Sequence, residues 1–158
     1  MISKEQLIPL NLLLADDDID DCTFFEEALK ESLVPTNLTA VHDGEEVMQQ
    51  LLNEKSKLPD VLFLDLNMPR KNGSECLSEI KLNDKLEGLP VIIFSTSMEK
   101  EVVDLLYKNG AQYFIHKPVE FQKFKKIIQQ TLTLITGENI LQPTRENFVL
   151  TLQTKLPV

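Results

Sequence analysis

The chain has 158 residues, of which 42% are hydrophobic and 26% charged, with a formal net charge of −9. That is enough for one domain with a proper core and too little for two of ordinary size, and no apolar run approaches the ~20 residues that span a bilayer. An acidic chain without a basic stripe is poorly suited to neutralising phosphates, so nucleic acid is not an expected partner.

Met1-Ile2-Ser3-Lys4-Glu5-Gln6 has no apolar segment of a secretory signal, and Cys22 and Cys76 fall within helical patterns without metal-like spacing. Reduced thiols and a cytoplasmic location are the expectation. Residues 1–9 read as an N-terminal extension to a domain over 10–136.

The first apolar run, Leu12 to Ala15, is followed by Asp16-Asp17-Asp18 and an amphipathic helix over Ile19 to Leu33, closed by Pro35. The second, Leu38 to Val41, passes through His42-Asp43-Gly44 into a helix over Glu45 to Asn53, with Asp43 as N-cap and Glu46 three residues on. The third, Val61 to Leu64, ends in Asp65, and Leu66-Asn67-Met68-Pro69-Arg70-Lys71-Asn72-Gly73 cannot continue a strand; a helix resumes over Ser74 to Leu82. The fourth, Val91 to Phe94, ends in Ser95-Thr96. Ser97 and Glu99 are placed to cap and charge a helix over Glu99 to Lys108, which Asn109-Gly110 ends. The fifth, Tyr113 to Ile115, runs into His116-Lys117-Pro118 and then a helix over Glu120 to Ile135. Phe121, Phe124, Ile127, Ile128 and Ile135 form its core face, while Lys123, Lys125 and Lys126 read as solvated. Residues 137–158 read as a tail, and the alternation of Phe148, Leu150 and Leu152 marks a strand at 147–152.

Short runs that are apolar at nearly every position, alternating with amphipathic helices, indicate an α/β fold: a doubly wound, flavodoxin-like sheet of five parallel strands in the order 2-1-3-4-5. Ligands of such sheets bind where the order reverses, at the carboxyl ends of strands one and three. The polar residues ending the strands near that crevice are Asp16-Asp17-Asp18, Asp65, Ser95-Thr96 and His116-Lys117. Two carboxylates about 4 Å apart repel by about 4 kcal/mol at an effective dielectric near 20, so a cation is required. Hard oxygen donors favour Mg²⁺. With Lys117 and Ser95 added, the set has what a transferring phosphoryl group needs: neutralising charge, a hydroxyl donor and a carboxylate nucleophile. Each piece alone has a plainer explanation, as an N-cap or a turn former. Those explanations do not account for their coincidence at one crevice.

Leu12-Leu13-Leu14-Ala15-Asp16-Asp17-Asp18, Leu64-Asp65-Leu66-Asn67-Met68-Pro69 with Gly73, Val91-Ile92-Ile93-Phe94-Ser95-Thr96 and Phe114-Ile115-His116-Lys117-Pro118 resemble, in order and spacing, the motifs of response-regulator receiver domains. The resemblance covers Asn11 to Thr136. It implies that Asp65 takes a phosphoryl group from a phosphohistidine on a sensor histidine kinase or phosphotransfer protein. It further implies Mg²⁺ on Asp17, Asp65 and the backbone carbonyl of Asn67, with Asp16 acting mainly through metal-bound water. Ser95 would be the hydroxyl that moves towards the phosphoryl group, Thr96 the small position beside it, and Lys117 the partner of the phosphoryl oxygens. The bond before Pro118 is cis in the family. Phe114 stands at the switch aromatic, where Phe instead of Tyr leaves no phenolic hydroxyl for output. His42 and His116 are not expected to be phosphodonors.

Residues 137–158 are too few for an effector domain, so the expectation is a stand-alone, chemotaxis-type regulator of a two-component system or phosphorelay. Its output would be a surface change read by an unidentified downstream protein, or relay of the phosphoryl group, without membrane or nucleic acid. The tail either docks on its own domain or exchanges strands in a homodimer. The chain is not expected to be an enzyme beyond slow self-dephosphorylation. Aspartate-nucleophile phosphatases, the enzyme alternative, usually carry a second acid two residues after the nucleophile, where this chain has Asn67. A flavin mononucleotide carrier would need a Gly-rich phosphate loop where three aspartates stand, and a scaffold that never takes up phosphate is disfavoured by the intact set.

Overall fold

Leu12 to Ala15, Val61 to Leu64 and Val91 to Ser95 are buried at every position, and strands of that kind need cover on both faces. In the computed structural model, which describes residues 8–136 and 142–152, helices on the two sides of one sheet supply it. Residues 1–7, 137–141 and 153–158 lie outside the described residues, and with them most of the expected N-terminal extension and both ends of the expected tail.

The elements are β1 (Leu10–Ala15), α1 (Ile19–Lys30), β2 (Thr36–Val41), α2 (Gly44–Leu52), β3 (Val61–Leu64), α3 (Gly73–Leu82), β4 (Val91–Ser95), α4 (Lys100–Lys108), β5 (Tyr113–His116), α5 (Phe121–Ile135), α6 (Arg145–Phe148) and β6 (Val149–Leu150). The strands are parallel in the order β2-β1-β3-β4-β5-β6. This is the expected five-strand order with a short sixth strand added at the edge.

Strand alternation divides the core in two. On one face Leu12, Leu14, Phe63, Phe94 and Ile115 meet Phe25 of α1 and Phe124 of α5, with Phe25 edge-on to Phe63 at 4.9 Å and Phe94 edge-on to Phe124 at 5.2 Å between centroids. On the other, Leu13, Leu62, Leu64, Ile93 and Phe114 meet Val47, Leu77, Val103 and Leu106 of α2, α3 and α4. Burial of these side chains contributes about 1.5–3 kcal/mol each. The register Ala15↔Leu64 sets Asp16 beside Asp65, one residue past both strand ends.

Local hydrogen bonds adjust the expected boundaries. α1 stops at Lys30, because the Ser32 hydroxyl accepts from the Val34 N–H at 3.1 Å and turns the chain before Pro35. The expected Ser97 cap of α4 does not form. The Ser97 N–H donates to the Ser95 hydroxyl at 3.1 Å, and the helix begins at Lys100 with Glu99 at its N-cap position making no side-chain cap.

The tail departs more from expectation. Instead of a strand over 147–152, Arg145 to Phe148 make one helical turn, and only Val149 and Leu150 pair with β5, opposite Phe114 and Ile115. Contacts with α4 dictate this. The Arg145 Nε lies 2.7 Å from Asp104, and the Tyr107 hydroxyl donates to the Pro143 carbonyl at 2.7 Å. Gln142 adds bonds of 2.8 Å to the carbonyls of Tyr107 and Ala111. The turn delivers Phe148, fully buried, to Tyr107 and Phe114 at centroid distances of 5.1 and 6.4 Å. The described part of the tail therefore docks on its own domain.

Candidate functional site

The site grows from the ends of β1 and β3. Hydrogen bonding carries the sheet one residue further: the Asp65 N–H donates to the Ala15 carbonyl at 2.9 Å and the Asp16 N–H to the Val41 carbonyl at 3.1 Å. Asp18 then starts α1 by accepting from the N–H groups of Asp20 at 2.9 Å and Asp21 at 3.2 Å, a side-chain N-cap. The three aspartates thus divide. Asp18 caps, whereas Asp16, Asp17 and Asp65 each present a carboxylate oxygen within 4.8 Å of the other two. Asp16 and Asp65 are buried and Asp17 is exposed.

Hard oxygen donors at this spacing suit a divalent cation of the Mg²⁺ class, and the electrostatics agree with that fit. The Asp65 carboxyl is raised to about 7: burial raises it most, Lys117 pulls it down, Asp16 and Asp17 push it up, and the Asn67 N–H, 3.4 Å away, lowers it. Asp16 is likewise raised, chiefly by burial. Carboxyl groups poised in this way gain from a cation that neutralises them.

Lys117 supplies the protein's own positive charge. Its ammonium lies 2.7 Å from Asp16, 2.9 Å from Asp21 and 3.6 Å from Asp65, with the Phe94 ring centroid 5.1 Å away. Burial works against the charge, but the hydrogen bonds to Asp16 and Asp21 and the negative charges of Asp16 and Asp65 together outweigh it and hold the group above its ordinary value. It is an ammonium at any physiological pH.

The β3–α3 loop is fixed by close approaches. A Cβ on Gly73 would collide with the Asp65 carbonyl, and one on Gly44, at the start of α2, with the backbone of Lys71. Asn72 and Glu75 form a reciprocal capping box on α3. Arg70 takes a left-handed φ of 69° and lies 3.6 Å from Asp43 and 3.5 Å from Glu45. Only glycine permits the two approaches, so the loop that leaves Asp65 is locked to α2.

The remaining expected residues surround this group. Ser95 is fully buried at the end of β4, and its carbonyl accepts the Lys117 N–H at 2.8 Å. Thr96 is exposed, its carbonyl 2.9 Å from the Nε2 of His116. Asn67 is exposed in the loop. Phe114 is buried against the tail. The cis bond expected before Pro118 is not present: no peptide bond among the described residues is cis. The trans preference of X–Pro bonds, about 0.5–1 kcal/mol, prevails, and Lys117 reaches Asp16 and Asp21 from that backbone.

Two participants carry little sequence signal. Asp21 sits in the first turn of α1, where the helix dipole already accounts for an acid. His42 places its Nδ1 3.1 Å from the Asp16 carbonyl, though from sequence it is only a turn residue after an edge strand.

Residues 12–129 match the response regulator receiver domain. Response regulator Rcp1 of Synechocystis sp. is 33% identical over 132 residues, covering 81% of this chain and 90% of Rcp1. Among solved structures, the phosphorylated cyanobacterial phytochrome response regulator RcpA aligns with a TM-score of 0.78 at 29% identity, over 84% of this chain and 97% of that one. The Mn(2+)-bound form of response regulator Rcp1 aligns with a TM-score of 0.77 at 30% identity, over 86% of this chain and all of that one.

Proposed function

Because the chain belongs to the response-regulator receiver family of two-component signalling, we propose that Asp65 accepts a phosphoryl group from a phosphohistidine and holds it as a signal. The donor is a sensor histidine kinase or a phosphotransfer protein. A carboxylate oxygen of Asp65 attacks phosphorus in line, the phosphorus–nitrogen bond breaks, and its electron pair leaves on the imidazole. The observation that carries this reading is the meeting of three carboxylates and one buried lysine at the switch point of the sheet.

Asp17, Asp65 and the Asn67 carbonyl would hold Mg²⁺, with Asp16 acting mainly through metal-bound water. When bound, the ion neutralises the carboxylates and takes up charge on the phosphoryl oxygens. Lys117 pairs with one phosphoryl oxygen, the Ser95 hydroxyl donates to another, and Thr96 leaves room beside it. The phosphorylated and Mn(2+)-bound forms of the relatives support both halves of the proposal. Asn67, standing where a second acid would activate water in an aspartate-nucleophile phosphatase, supports slow self-dephosphorylation. The signal leaves through a surface change at Phe114 and its neighbours, read by a downstream protein, or through onward relay.

Incubation with Mg²⁺ and a small phosphodonor, followed by intact mass, tests the assignment. One phosphoryl adduct is expected on the wild type, and none on Asp65→Asn or in excess chelator. An adduct that survives Asp65→Asn would remove Asp65 from its role.

A further inference from the structure

Lys117 has three N–H donors, and both of its contacts within hydrogen-bond distance lead away from the acceptor carboxylate. They go to Asp16 at 2.7 Å and Asp21 at 2.9 Å, whereas Asp65 stands off at 3.6 Å. We propose that Asp21 is a positioning residue of the phosphoryl site: it parks the Lys117 ammonium on the α1 side and competes with the phosphoryl group for it. The inference rests on the phosphoacceptor reading above and adds a determinant of how tightly the phosphorylated state is held.

Asp21 cannot follow the lysine. It belongs to the first turn of α1, with its N–H bonded to the Asp18 cap, and α1 is fastened to α5 by the Phe24–Phe121 stack at 4.8 Å and the Lys125–Glu31 pair at 2.7 Å. An ammonium that moves to a phosphoryl oxygen on Asp65 must lengthen or release its bond to Asp21. With 20% of its side chain exposed, Asp21 can be rehydrated when that happens, whereas the wholly buried Asp16 cannot. Asp21 is therefore the partner that yields, and each departure costs one charge-assisted hydrogen bond. Dipole compensation does not explain the contact. Asp20 lies in the same first turn, is exposed, and serves the helix N-terminus equally well.

Asp21→Asn keeps the shape and removes the charge, and Asp20→Asn removes an equal charge one residue away. Beryllofluoride, which bonds to a carboxylate as a phosphoryl mimic, is titrated by ¹⁹F NMR at saturating Mg²⁺ against wild type and both variants. The Lys117 ammonium signal is followed by ¹⁵N NMR without the mimic. Asp21→Asn is expected to bind the mimic about tenfold more tightly, the equivalent of one charge-assisted hydrogen bond, and to shift the Lys117 signal, while Asp20→Asn matches wild type in both. Disruption of structure would weaken binding, so tightening is not a folding artefact. Equal tightening in both variants, or affinity in Asp21→Asn that is unchanged or weaker, overturns the proposal and leaves the acceptor role of Asp65 standing. A wild type that binds no beryllofluoride overturns that role and this inference together.

Discussion

Asp65 is a buried acid whose proton affinity is set by its neighbours, and that has a measurable consequence for stability. Its carboxyl is raised from an ordinary value of 3.8 to about 7, chiefly by burial. Between those values the folded chain holds a proton that the unfolded chain has lost, so the metal-free protein loses stability as pH rises through the window. Asp65→Asn removes this penalty. In chelator, its melting temperature should exceed that of wild type at pH 7 and above, and the gap should close towards pH 4; parallel curves across that range would show that Asp65 is not strained in the fold. Asp16, Asp17 and Asp65 were legible in the sequence because each follows an apolar run. Asp21 was not, since its role depends on a lysine brought in from the far end of the chain and on a fold that aims both inward. The trans bond at Pro118 also lies beyond sequence, because the two isomers differ by less than the energy of one good contact.

Among the elements, the β3–α3 loop shows how packing fixes a site. Gly44→Ala drives a methyl group into the backbone of Lys71, and overpacking of this kind costs about 1–3 kcal/mol. Urea denaturation should register that loss, together with slower uptake of phosphoryl groups because the loop beside Asp65 is displaced; a variant with wild-type stability would contradict the close approach. Phe148→Ala should cost about 3–5 kcal/mol, since the ring is fully buried between Tyr107 and Phe114. A loss below 1 kcal/mol would mean that the tail does not dock there. Strands covered on both faces were readable to within two residues. Helix starts were readable to within one residue, although the Ser97 N–H bonds Ser95 and leaves α4 without its expected cap, whereas α1 ends three residues short of the expected Leu33 because the Ser32 hydroxyl takes the Val34 N–H. The alternation of Phe148, Leu150 and Leu152 resembles a strand, yet anchors on Asp104 and Tyr107 wind its beginning into a helical turn.

For the whole molecule, alternation of apolar runs and amphipathic helices was enough to deduce the doubly wound sheet, because parallel strands with right-handed crossovers leave few arrangements. The placement of the tail was not, since an apolar edge segment satisfies its own sheet and a partner's equally well. In the structure it pairs with β5 of the same chain. A chain truncated after Gly137 should therefore sediment in the same oligomeric state as the full chain, and a fall in mass beyond the missing residues would reveal exchange between copies. Among the described residues no helix is long and apolar enough to cross a membrane. The tail packs against Phe114, so any movement of that ring on phosphorylation is felt at the sheet edge that β6 covers.

A phosphoryl group held on Asp65 would be an acyl phosphate, which is chemically distinct from a phosphate ester and from phosphohistidine. Borohydride reduces an acyl phosphate to an alcohol and leaves free carboxylates and phosphate esters intact, so it converts a phosphorylated aspartate into homoserine. Treatment of the phosphorylated protein with borohydride, followed by peptide mass mapping, should find homoserine at position 65 and nowhere else. Homoserine at another aspartate, or a phosphate that resists reduction, would show that Asp65 does not carry the phosphoryl group.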